Sequence, residues 1–391
     1  MAILTLNCGS SSIKATLIDA AHERRLIDVR ITNIGSEEVT LEIEGKSQRL
    51  EALDHARAVR LTLEAISARA TSKPTAVAHR VVHGGNDFTQ PVLIDDDVVK
   101  QLDALDALAP LHNPVSVAGI RAARSALPAI PHVAVFDTAL HANLPPAAQR
   151  YALPVELTQR FGIRRFGFHG TSHARVAESV AKYLRKPLEA LRIISCHLGN
   201  GASVTAIAHG RSVETSMGMT PLEGLIMGTR AGDIDAGILL YLLRSGHCDV
   251  ESLDELLNTQ SGLKGLTGTN DMREIEARAD RGDEPCRFAI DAYAHRVLKY
   301  VGAYAAVMSG VDAIAFTAGI GENSATIRAR VADRLGFLGV DFDVDANRRA
   351  RVDVQRPVAR ISSAQSRVEL LVVRTDEEMA LARAAEDLLA G

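Results

Sequence analysis

Hydroxyl and amino groups are concentrated in one short turn near the start of the chain. Gly9 and three consecutive serines separate two apolar runs, and Lys14 follows in the second run. Backbone amides of a tight Gly-Ser turn can donate hydrogen bonds to an anion, and Ser10, Ser12 and Lys14 add further donors and positive charge. The turn therefore predicts a phosphate-binding site. A polar hairpin turn without a ligand is the alternative, which one such turn alone would favour.

The same pattern returns about half a chain later. An apolar strand from Arg192 leads into a turn of Gly, Asn and Ser over residues 199–203, and an alternating strand follows. Repetition of the same strand, turn and strand indicates a duplicated unit. We expect the two hairpins to face one polyphosphate from opposite sides of a cleft.

Polar and glycine-rich segments also follow several other predicted strands. Asp137 follows a buried strand over residues 132–136, and Gly319 to Asn323 follow another over 313–317. A long glycine-rich loop carries Arg230 between polar residues. Because binding and catalytic residues concentrate on structured loops held by a rigid scaffold, these segments are candidate functional sites.

The order of predicted elements defines the fold class. The first half of the chain reads as three strands, then helix, strand, helix and strand, which is typical of a ribonuclease-H-like unit with a mixed sheet flanked by helices. We predict an α/β protein of two duplicated ribonuclease-H-like domains with a cleft between them. Residues 1–140 and 376–391 would form the N-terminal domain, and residues 141–375 the C-terminal, nucleotide-binding domain.

Three local expectations accompany this fold. Thr171 or Ser172 should cap a helix over residues 173–184. A helix over residues 97–108 should pack one apolar face. A long amphipathic helix over residues 288–308 should do the same. The residues expected on the two apolar faces are, in turn, Val98, Leu102, Leu105 and Leu108, and Ile290, Tyr293, Val297, Val301, Tyr304 and Met308.

Composition excludes several classes of protein. The 391 residues are 47% hydrophobic and 24% charged, which indicates an ordinary globular protein of two domains. A net charge of -4 gives no basic field for nucleic acid or an anionic membrane, so an anionic ligand must be held by local cations. We also expect no membrane span, because the apolar segment from Val301 to Gly321 reads as a helix end and a buried strand.

The four cysteines are scattered, and no C-x-x-C pair indicates a zinc site or a disulfide framework. Cys8 and Cys196 precede the two turns, where we expect them to occupy equivalent, buried, structural positions. The start of the chain lacks the pattern of a signal peptide. A reducing cytoplasm suits this cysteine usage.

Taken together, the motifs of the chain resemble those of the acetate kinase family. They are, in order, N-C-G-S-S-S-I-K, H-R-V-V-H-G-G, F-D-T-A-L-H, F-G-F-H-G-T-S-H, H-L-G-N-G-A-S, M-G-T-R-A-G-D-I-D, G-I-G-E-N and T-D-E-E. The match runs from the first ten residues to the last twenty. It implies the fold shared by sugar kinases, actin and the heat-shock chaperone ATPases, a homodimer, and reversible in-line phosphoryl transfer from ATP to acetate, giving acetyl phosphate and ADP.

The resemblance also implies roles for individual residues. Arg80 would hold the acetate carboxylate, Arg230 would stabilise the transition state, and His169 would donate a hydrogen bond to it. His173 would hold His169 or cap the helix. A carboxylate acceptor is already a nucleophile near neutral pH, so cations matter more here than a general base.

Three oxygen-bearing side chains are candidates for a metal site. Asn7, Asp137 and Glu377 would hold Mg²⁺, or Mn²⁺ in its place, directly or through water, because Mg²⁺ keeps several waters and few protein ligands. In the family the aspartate is described as an acid/base or as a metal-orienting group, and we favour the second role. Asp376 stands where asparagine is common in the family, which adds negative charge beside Glu377.

The remaining site residues implied by the resemblance form two groups. The acyl pocket would be lined by Val82, Leu111, Phe168 and Pro221. The nucleotide would be contacted by Ser10, Ser12, Lys14, His197, Leu198, Gly199, Asn200, Gly201, Asp271, Met272, Arg273, Gly319, Ile320, Gly321, Glu322 and Asn323. Two alternatives remain open: the same chemistry on propionate or butyrate, and a non-catalytic nucleotide-binding switch like actin or the chaperones.

Overall fold

The computed structural model describes residues 1–9, 11–109 and 112–391. They form two compact units, Met1–Ala142 with Asp376–Gly391, and Asn143–Thr375. The strands are β1 (Ala2–Gly9), β2 (Ser12–Asp19), β3 (Arg24–Thr32), β4 (Val39–Ile43), β5 (Lys46–Leu50), β6 (Ala76–Val81), β7 (Val92–Leu93), β8 (His132–Phe136), β9 (Arg192–Leu198), β10 (Ala202–Ala208), β11 (Arg211–Thr215), β12 (Ala313–Thr317), β13 (Val358–Arg360) and β14 (Glu369–Val373).

Helices connect and cover these strands. They are α1 (His55–Arg69), α2 (Asp96–Ala104), α3 (Asn113–Ala126), α4 (Pro146–Gln149), α5 (Val155–Phe161), α6 (Gly170–Leu184), α7 (Ala236–Arg244), α8 (Val250–Thr259), α9 (Gly262–Thr267), α10 (Met272–Asp280), α11 (Glu284–Val307), α12 (Ala318–Asn323), α13 (Ala325–Ala332), α14 (Val344–Arg349) and α15 (Glu377–Ala390).

The sheet of the first unit has the strand order β5-β4-β3-β2-β1-β6-β8-β7. Strands β1 to β5 form an antiparallel meander, β1, β6 and β8 run parallel, and β7 is an antiparallel edge strand. Strand β1 is buried on both faces: Leu4 and Leu6 pack with α1, whereas Ile3 packs with α15. The helix from the end of the chain thus completes the core of the first unit.

The sheet of the second unit repeats this plan in the order β11-β10-β9-β12-β14-β13. Here β9 and β10 form the hairpin, β9, β12 and β14 run parallel, and β13 is again an antiparallel edge strand. The predicted α/β fold with two duplicated ribonuclease-H-like sheets is therefore confirmed.

Long, periodic elements match their prediction most closely. Five of the six residues expected on the apolar face lie in α11 and are buried, and the sixth, Met308, is buried at its C-cap. The segment from Val301 to Gly321 divides into the end of α11 and the buried strand β12, as expected. Among the helices of the described residues, none is long and apolar enough to cross a membrane.

Helix boundaries correct two expectations. Helix α2 ends at Ala104, before the predicted end at residue 108, because the chain turns into a short 3-10 segment at Asp106. It buries Leu102 as expected, and Val99 in place of Val98. Helix α6 begins at Gly170 with His169 at the N-cap position, so Thr171 and Ser172 lie inside its first turn and are not its N-cap.

Cys8 and Cys196 are buried as expected, but their positions are not equivalent. Cys8 pairs with Ile13 one position before the end of its hairpin, whereas Cys196 pairs with Val204 two positions before the end of the other. The predicted equivalence was wrong. Burial raises the pKa of the Cys8 thiol to about 12 and also raises that of Cys196, which suits unreactive core residues.

Candidate functional site

The first unit brings Arg80 and two carboxylates together at the carboxyl ends of its parallel strands. Arg80 lies on β6 beside β8, and Asp137 follows β8 directly. Arg80 donates from Nε to Asp137 Oδ1 at 3.0 Å and from Nη2 to Oδ2 at 2.7 Å. Its Nη1 lies 3.7 Å from Oε2 of Glu377, the first residue of α15. We call these three residues the arginine-carboxylate cluster.

Arg80 keeps donors for a ligand. Burial alone would lower its pKa, but Asp137 and then Glu377 raise it above the ordinary value, so the guanidinium stays charged. Guanidinium has five N–H donors, of which Asp137 takes two. An incoming carboxylate or phosphate would meet an arginine already fixed in direction.

The first hairpin presents its polar residues on one face of the sheet. Asn7 pairs with Lys14, and Gly9 pairs with Ser12, so all four lie on the same face because side chains alternate along a strand. That face is the one on which Ile3 packs with α15, the helix that begins with Glu377. Lys14 is exposed, whereas Asn7 and Ser12 are half-buried. Ser10 and Leu111 lie outside the described residues.

Histidines form the centre of the second unit. His169 occupies the N-cap position of α6 with a left-handed φ of 57°, and its ring stacks on His197 with centroids 4.2 Å apart. Ser203 Oγ lies 2.9 Å from His169 Nδ1 and 2.8 Å from His173 Nε2. Ser195 Oγ lies 2.8 Å from the other ring nitrogen of His173. We call these five residues the histidine-serine cluster.

These contacts separate the two roles considered for His173. A ring bonded through both nitrogens to strand hydroxyls is fixed in place, and it reaches His169 through the shared Ser203. His173 lies within α6 and caps no helix end. The geometry therefore fits a residue that holds His169. Ser203 had not been singled out from the sequence, although it ends the turn that had been recognised.

Arg230 lies beside His169. A Cβ placed on Gly201 would be 3.2 Å from Arg230 Nη2 and 3.3 Å from His169 Nε2. Arg230 Nη1 donates to the carbonyl of Pro221 at 2.7 Å. Burial lowers the pKa of Arg230 to about 10. A desolvated cation and an imidazole that both lie close to one glycine could together stabilise an anionic group beside it.

The loop that carries Arg230 is braced at its first end by a half-buried charge network. Arg165 donates to Met217 O at 2.9 Å and to Glu223 Oε1 at 2.6 Å. Tyr151 donates to the other oxygen of Glu223. Such bracing fits a loop that must present an arginine in a fixed direction.

The far end of the same loop is tied to α11. Tyr300 donates to both carboxylate oxygens of Asp233, at 3.0 and 2.9 Å. Arg296 Nη1 donates to the carbonyl of Asp233 at 3.3 Å and, nearer the first end, to that of Gly224 at 2.9 Å. Burial, followed by the charge of Asp233, raises the pKa of the Tyr300 hydroxyl, so it stays protonated as a donor. The long helix thus positions a loop distant from it in sequence.

A cavity of about 580 Å³ lies in the second unit. It brings together three of the segments expected to contact a nucleotide. Its lining residues are Gly199, Asn200, Asn270, Asp271, Met272, Arg273, Glu276, Gly319, Ile320, Asn323 and Ser324. Asn270, Glu276 and Ser324 had not been predicted; the first and last adjoin predicted segments, and Glu276 lies one helical turn beyond Met272.

Five residues of the second unit that were predicted to contact the nucleotide do not line this cavity: His197, Leu198, Gly201, Gly321 and Glu322. Their contacts explain why. His197 stacks in the histidine-serine cluster, and Leu198 is fully buried. Glu322 accepts hydrogen bonds from the backbone amides of Ala318 and Thr375, which closes the turn after β12.

That turn also differs from its predicted form. Residues 318–323 form the short helix α12 instead of an open glycine loop. Fully buried Arg328 donates to the carbonyls of Gly321 and Glu322, at 2.9 and 2.7 Å. A buried cation on the carbonyls at the end of a helix favours the helical form.

The proposed acyl-pocket residues lie on both units. Val82, directly after β6, is half-buried in the first unit. In the second unit Phe168 is 1% exposed and Pro221 is half-buried. Phe168 immediately precedes His169, and Pro221 accepts a hydrogen bond from Arg230.

Comparison with known proteins decides the family. A sequence model described as the acetokinase family matches residues 2–383. The chain belongs to the acetokinase family. An acetate kinase of Halothermothrix orenii is 46% identical over 395 residues, which cover 98% of each chain.

Solved structures of the acetokinase family agree with this assignment. The crystal structure of Porphyromonas gingivalis acetate kinase matches with a TM-score of 0.92 at 38% identity, covering 99% of each chain. That of a propionate kinase from Francisella tularensis matches with a TM-score of 0.91 at 40% identity, covering 98% of each chain. Both the family and the actin-like ATPase fold expected from the motifs are thereby confirmed.

Proposed function

We propose that this protein is an acetate kinase that reversibly transfers the γ-phosphoryl group of ATP to acetate, directly and in line. The observation that carries the proposal is the whole-length match to the acetokinase family. The clusters of the two units support it, because phosphoryl transfer depends on positioning and on neutralising charge on the transferred group. A protein that only switched on nucleotide binding would need neither a desolvated Arg230 nor a braced His169 beside it.

In this proposal the second unit binds the nucleotide and stabilises the transferred group. The cavity lined by Asn200, Asp271 and Gly319 would hold ATP or ADP. Arg230 and His169 would donate to the equatorial oxygens of the phosphoryl group, on which negative charge is spread in the transition state. Ser203 and His173 would hold the His169 ring in the required direction.

The first unit would supply the binding site for the acetate carboxylate and the binding site for the metal ion. Arg80, fixed by Asp137, would bind the acetate carboxylate through its remaining donors. The residues proposed for the acyl pocket are Val82 and Leu111 of this unit, with Phe168 and Pro221 of the second. Since the carboxylate is already ionised near neutral pH, no residue is needed to remove a proton from it.

The acidic residues of the first unit fit a magnesium site. Asn7, Asp137 and Glu377 offer carboxylate and amide oxygens, which Mg²⁺ prefers and Mn²⁺ also accepts. In the part of the chain that the structure describes, no group of three or more His, Cys, Asp or Glu side chains could by itself hold a metal ion. A few protein ligands and several waters are the usual coordination of Mg²⁺ on a polyphosphate. When bound, the ion would neutralise charge on the phosphates.

Propionate is the second candidate acceptor. The structure of the propionate kinase from Francisella tularensis is about as similar to this chain as that of the acetate kinase from Porphyromonas gingivalis. One methylene group in an apolar pocket changes binding by about 1–3 kcal/mol, so we expect about 10- to 200-fold preference for acetate, with some turnover of propionate.

We further propose a cytoplasmic homodimer. Helix α7 has no buried residue, and Ile238, Leu240 and Tyr241 are 43%, 50% and 65% exposed. An apolar helix of this kind is typical of a protein interface. All four cysteines carry free thiols, which suits a reducing compartment. Sedimentation velocity of Leu240→Glu should show a monomer if α7 forms the interface, whereas an unchanged sedimentation coefficient would exclude it.

The activity is tested by trapping acyl phosphate with hydroxylamine, using acetate, propionate and butyrate in parallel. We expect product with ATP, Mg²⁺ and acetate, and a lower kcat/KM with each longer acid. Arg230→Ala should lower kcat about 1000-fold, as loss of an arginine that stabilises this transition state can. Arg80→Ala should chiefly raise the KM for acetate. Absence of acyl phosphate with all three acids would refute the proposal.

A further inference from the structure

Helix α15 begins beside three consecutive acidic residues, only one of which belongs to the arginine-carboxylate cluster. Asp376 is the N-cap, and Glu377 and Glu378 follow in the first turn. The helix dipole favours negative charge at this end, but three neighbouring carboxylates also repel one another. Asp376 accepts the capping hydrogen bond from the backbone amide of Met379 at 3.3 Å, but the directions of Glu377 and Glu378 must be set by another contact.

Arg25 supplies that contact. Its Nη2 lies 2.6 Å from Asp376 Oδ1 and 3.0 Å from Glu378 Oε2. Glu377, between them in sequence, instead lies 3.7 Å from Arg80. One guanidinium group thus joins the two outer acidic residues and leaves the middle one to the cluster.

Arg25 is itself held in a fixed direction. It lies on β3, and its Nη1 donates to Asp28 Oδ1 at 3.1 Å. The same oxygen of Asp28 accepts a hydrogen bond from Thr16 Oγ1 on β2 at 2.6 Å. The side chain of Arg25 is 25% exposed, so it is not a freely moving surface group. A planar guanidinium with several donors suits such a bridge, which a lysine could not reproduce.

We propose that Arg25 is a positioning residue, which ties Asp376 and Glu378 to the sheet and so directs Glu377 toward Arg80 and the metal site. Neighbouring side chains of a helix point about 100° apart, and contacts on both sides of Glu377 fix the rotation of the first turn. The inference rests on the proposed function of Glu377 as a metal ligand.

Repulsion among the acidic residues explains why the contacts of Arg25 with Asp376 and Glu378 are needed. Around the start of α15, Arg25 pairs with Asp28, Asp376 and Glu378, and Arg80 pairs with Asp137 and Glu377, so the acidic groups are held by shared guanidinium groups. Without Arg25, the acidic side chains would spread apart, and more than one of them could compete for a cation. With it, two carboxylates are committed to structure, and Glu377 remains for the metal.

The test compares Arg25→Gln with Arg25→Gln/Asp376→Asn and with Arg30→Gln. Arg30 is an exposed residue of the same strand, so the last variant makes the same charge change away from α15. Two quantities are measured: hydrogen exchange of residues 376–380 in metal-free enzyme, and Mn²⁺ binding in the presence of ADP by electron paramagnetic resonance. Arg25→Lys, which keeps the charge, serves if the glutamine variant does not fold.

We expect Arg25→Gln to speed exchange about tenfold and to weaken Mn²⁺ binding about fivefold. Adding Asp376→Asn should restore much of the slow exchange and of the Mn²⁺ binding. It removes one repelling carboxylate, while asparagine can still cap the helix. Arg30→Gln should match the wild type. Equal exchange in Arg25→Gln and the wild type would overturn the inference, as would failure of Asp376→Asn to restore anything.

Glu377→Gln separates this inference from the proposed function. If that variant binds Mn²⁺ as the wild type does, the metal role of Glu377 is refuted, whatever Arg25 does to exchange. If Glu377→Gln weakens Mn²⁺ binding and Arg25→Gln does not, the positioning role of Arg25 is refuted and the metal site stands.

Discussion

A single methyl group at Gly201 should test where phosphoryl transfer takes place. The backbone at Gly201 does not have a positive φ, so alanine fits it without strain. The added Cβ would lie 3.2 Å from Arg230 Nη2 and 3.3 Å from His169 Nε2. Gly201→Ala therefore changes the space between the two proposed catalytic side chains while leaving both chemically intact.

The expected magnitude follows from these distances. Nonbonded contacts between heavy atoms are ordinarily about 3.5–4.0 Å, so each side chain must withdraw by roughly 0.2–0.8 Å. Misplacement of a catalytic group by about 1 Å can lower the rate about 100-fold. We expect Gly201→Ala to lower kcat by about 30-fold, or about 2 kcal/mol in the activation free energy. The KM for ATP should change little, because Gly201 does not line the cavity.

The assay is steady-state formation of acetyl hydroxamate, with thermal unfolding measured on the same samples. Gly302→Ala is the matched control, because Gly302 lies in α11 and a Cβ there would meet no atom within 4 Å. That variant should keep wild-type kcat and be as stable or slightly more so. A kcat for Gly201→Ala within twofold of the wild type would refute the placement of the transferred group between His169 and Arg230.

Three further predictions concern other parts of the molecule. Ser203→Ala should lower kcat about tenfold because it frees the ring of His169, whereas Ser195→Ala should lower it less than threefold; equal kcat values would contradict the bridge. Val82→Ala should raise the propionate-to-acetate ratio of kcat/KM by up to about tenfold, and an unchanged ratio would remove Val82 from the acyl pocket. Burial, and then the neighbouring His132, lower the pKa of the His79 imidazole in the folded protein. Below the ordinary histidine pKa of about 6.5 the unfolded chain therefore binds more protons, and the free energy of unfolding falls as the pH falls from 7 to 5. In His79→Asn the melting temperature should depend less on pH, and an equal dependence would contradict this account.

Elements with a strong local pattern could be predicted from the sequence. The hairpins combine period-two alternation with glycine-rich turns, and α11 shows one apolar face over 24 residues. In these segments the local preference and the tertiary contacts favour the same structure. The parallel order of β9, β12 and β14 then follows from the alternation of strands and helices.

The helix α12 shows where such prediction fails. Glycine disfavours helix by about 1 kcal/mol per residue, so a segment that contains Gly319 and Gly321 reads as a loop. The contact that opposes this preference comes from Arg328, whose side chain is fully buried. Arginine is ordinarily exposed, and nothing in the local pattern marks this one as a core residue. A contact of this kind depends on the folded chain and carries no short-range signal.

Motifs in the sequence are enough to name candidate site residues, but they do not give the contacts of those residues. His169 and Arg230 stand in recognisable motifs, but their spacing in sequence does not show that both side chains lie close to Gly201. Ser203 escaped notice because serine is an ordinary turn residue, and only the folded hairpin brings its hydroxyl to two imidazole rings. Hydrogen-bond partners across strands are fixed by register, which the sequence specifies only through the whole sheet.

The backbone of His169 connects these contacts with function. A left-handed φ costs a residue with a Cβ about 1–2 kcal/mol, and glycine would avoid this cost. The strain persists because the stack on His197 and the bond to Ser203 hold the ring in place. In this conformation the His169 side chain makes no capping hydrogen bond to the backbone amides of α6. The imidazole is thereby directed toward Arg230, so the strained backbone is the means by which a helix start presents a hydrogen-bond donor to the proposed reaction site.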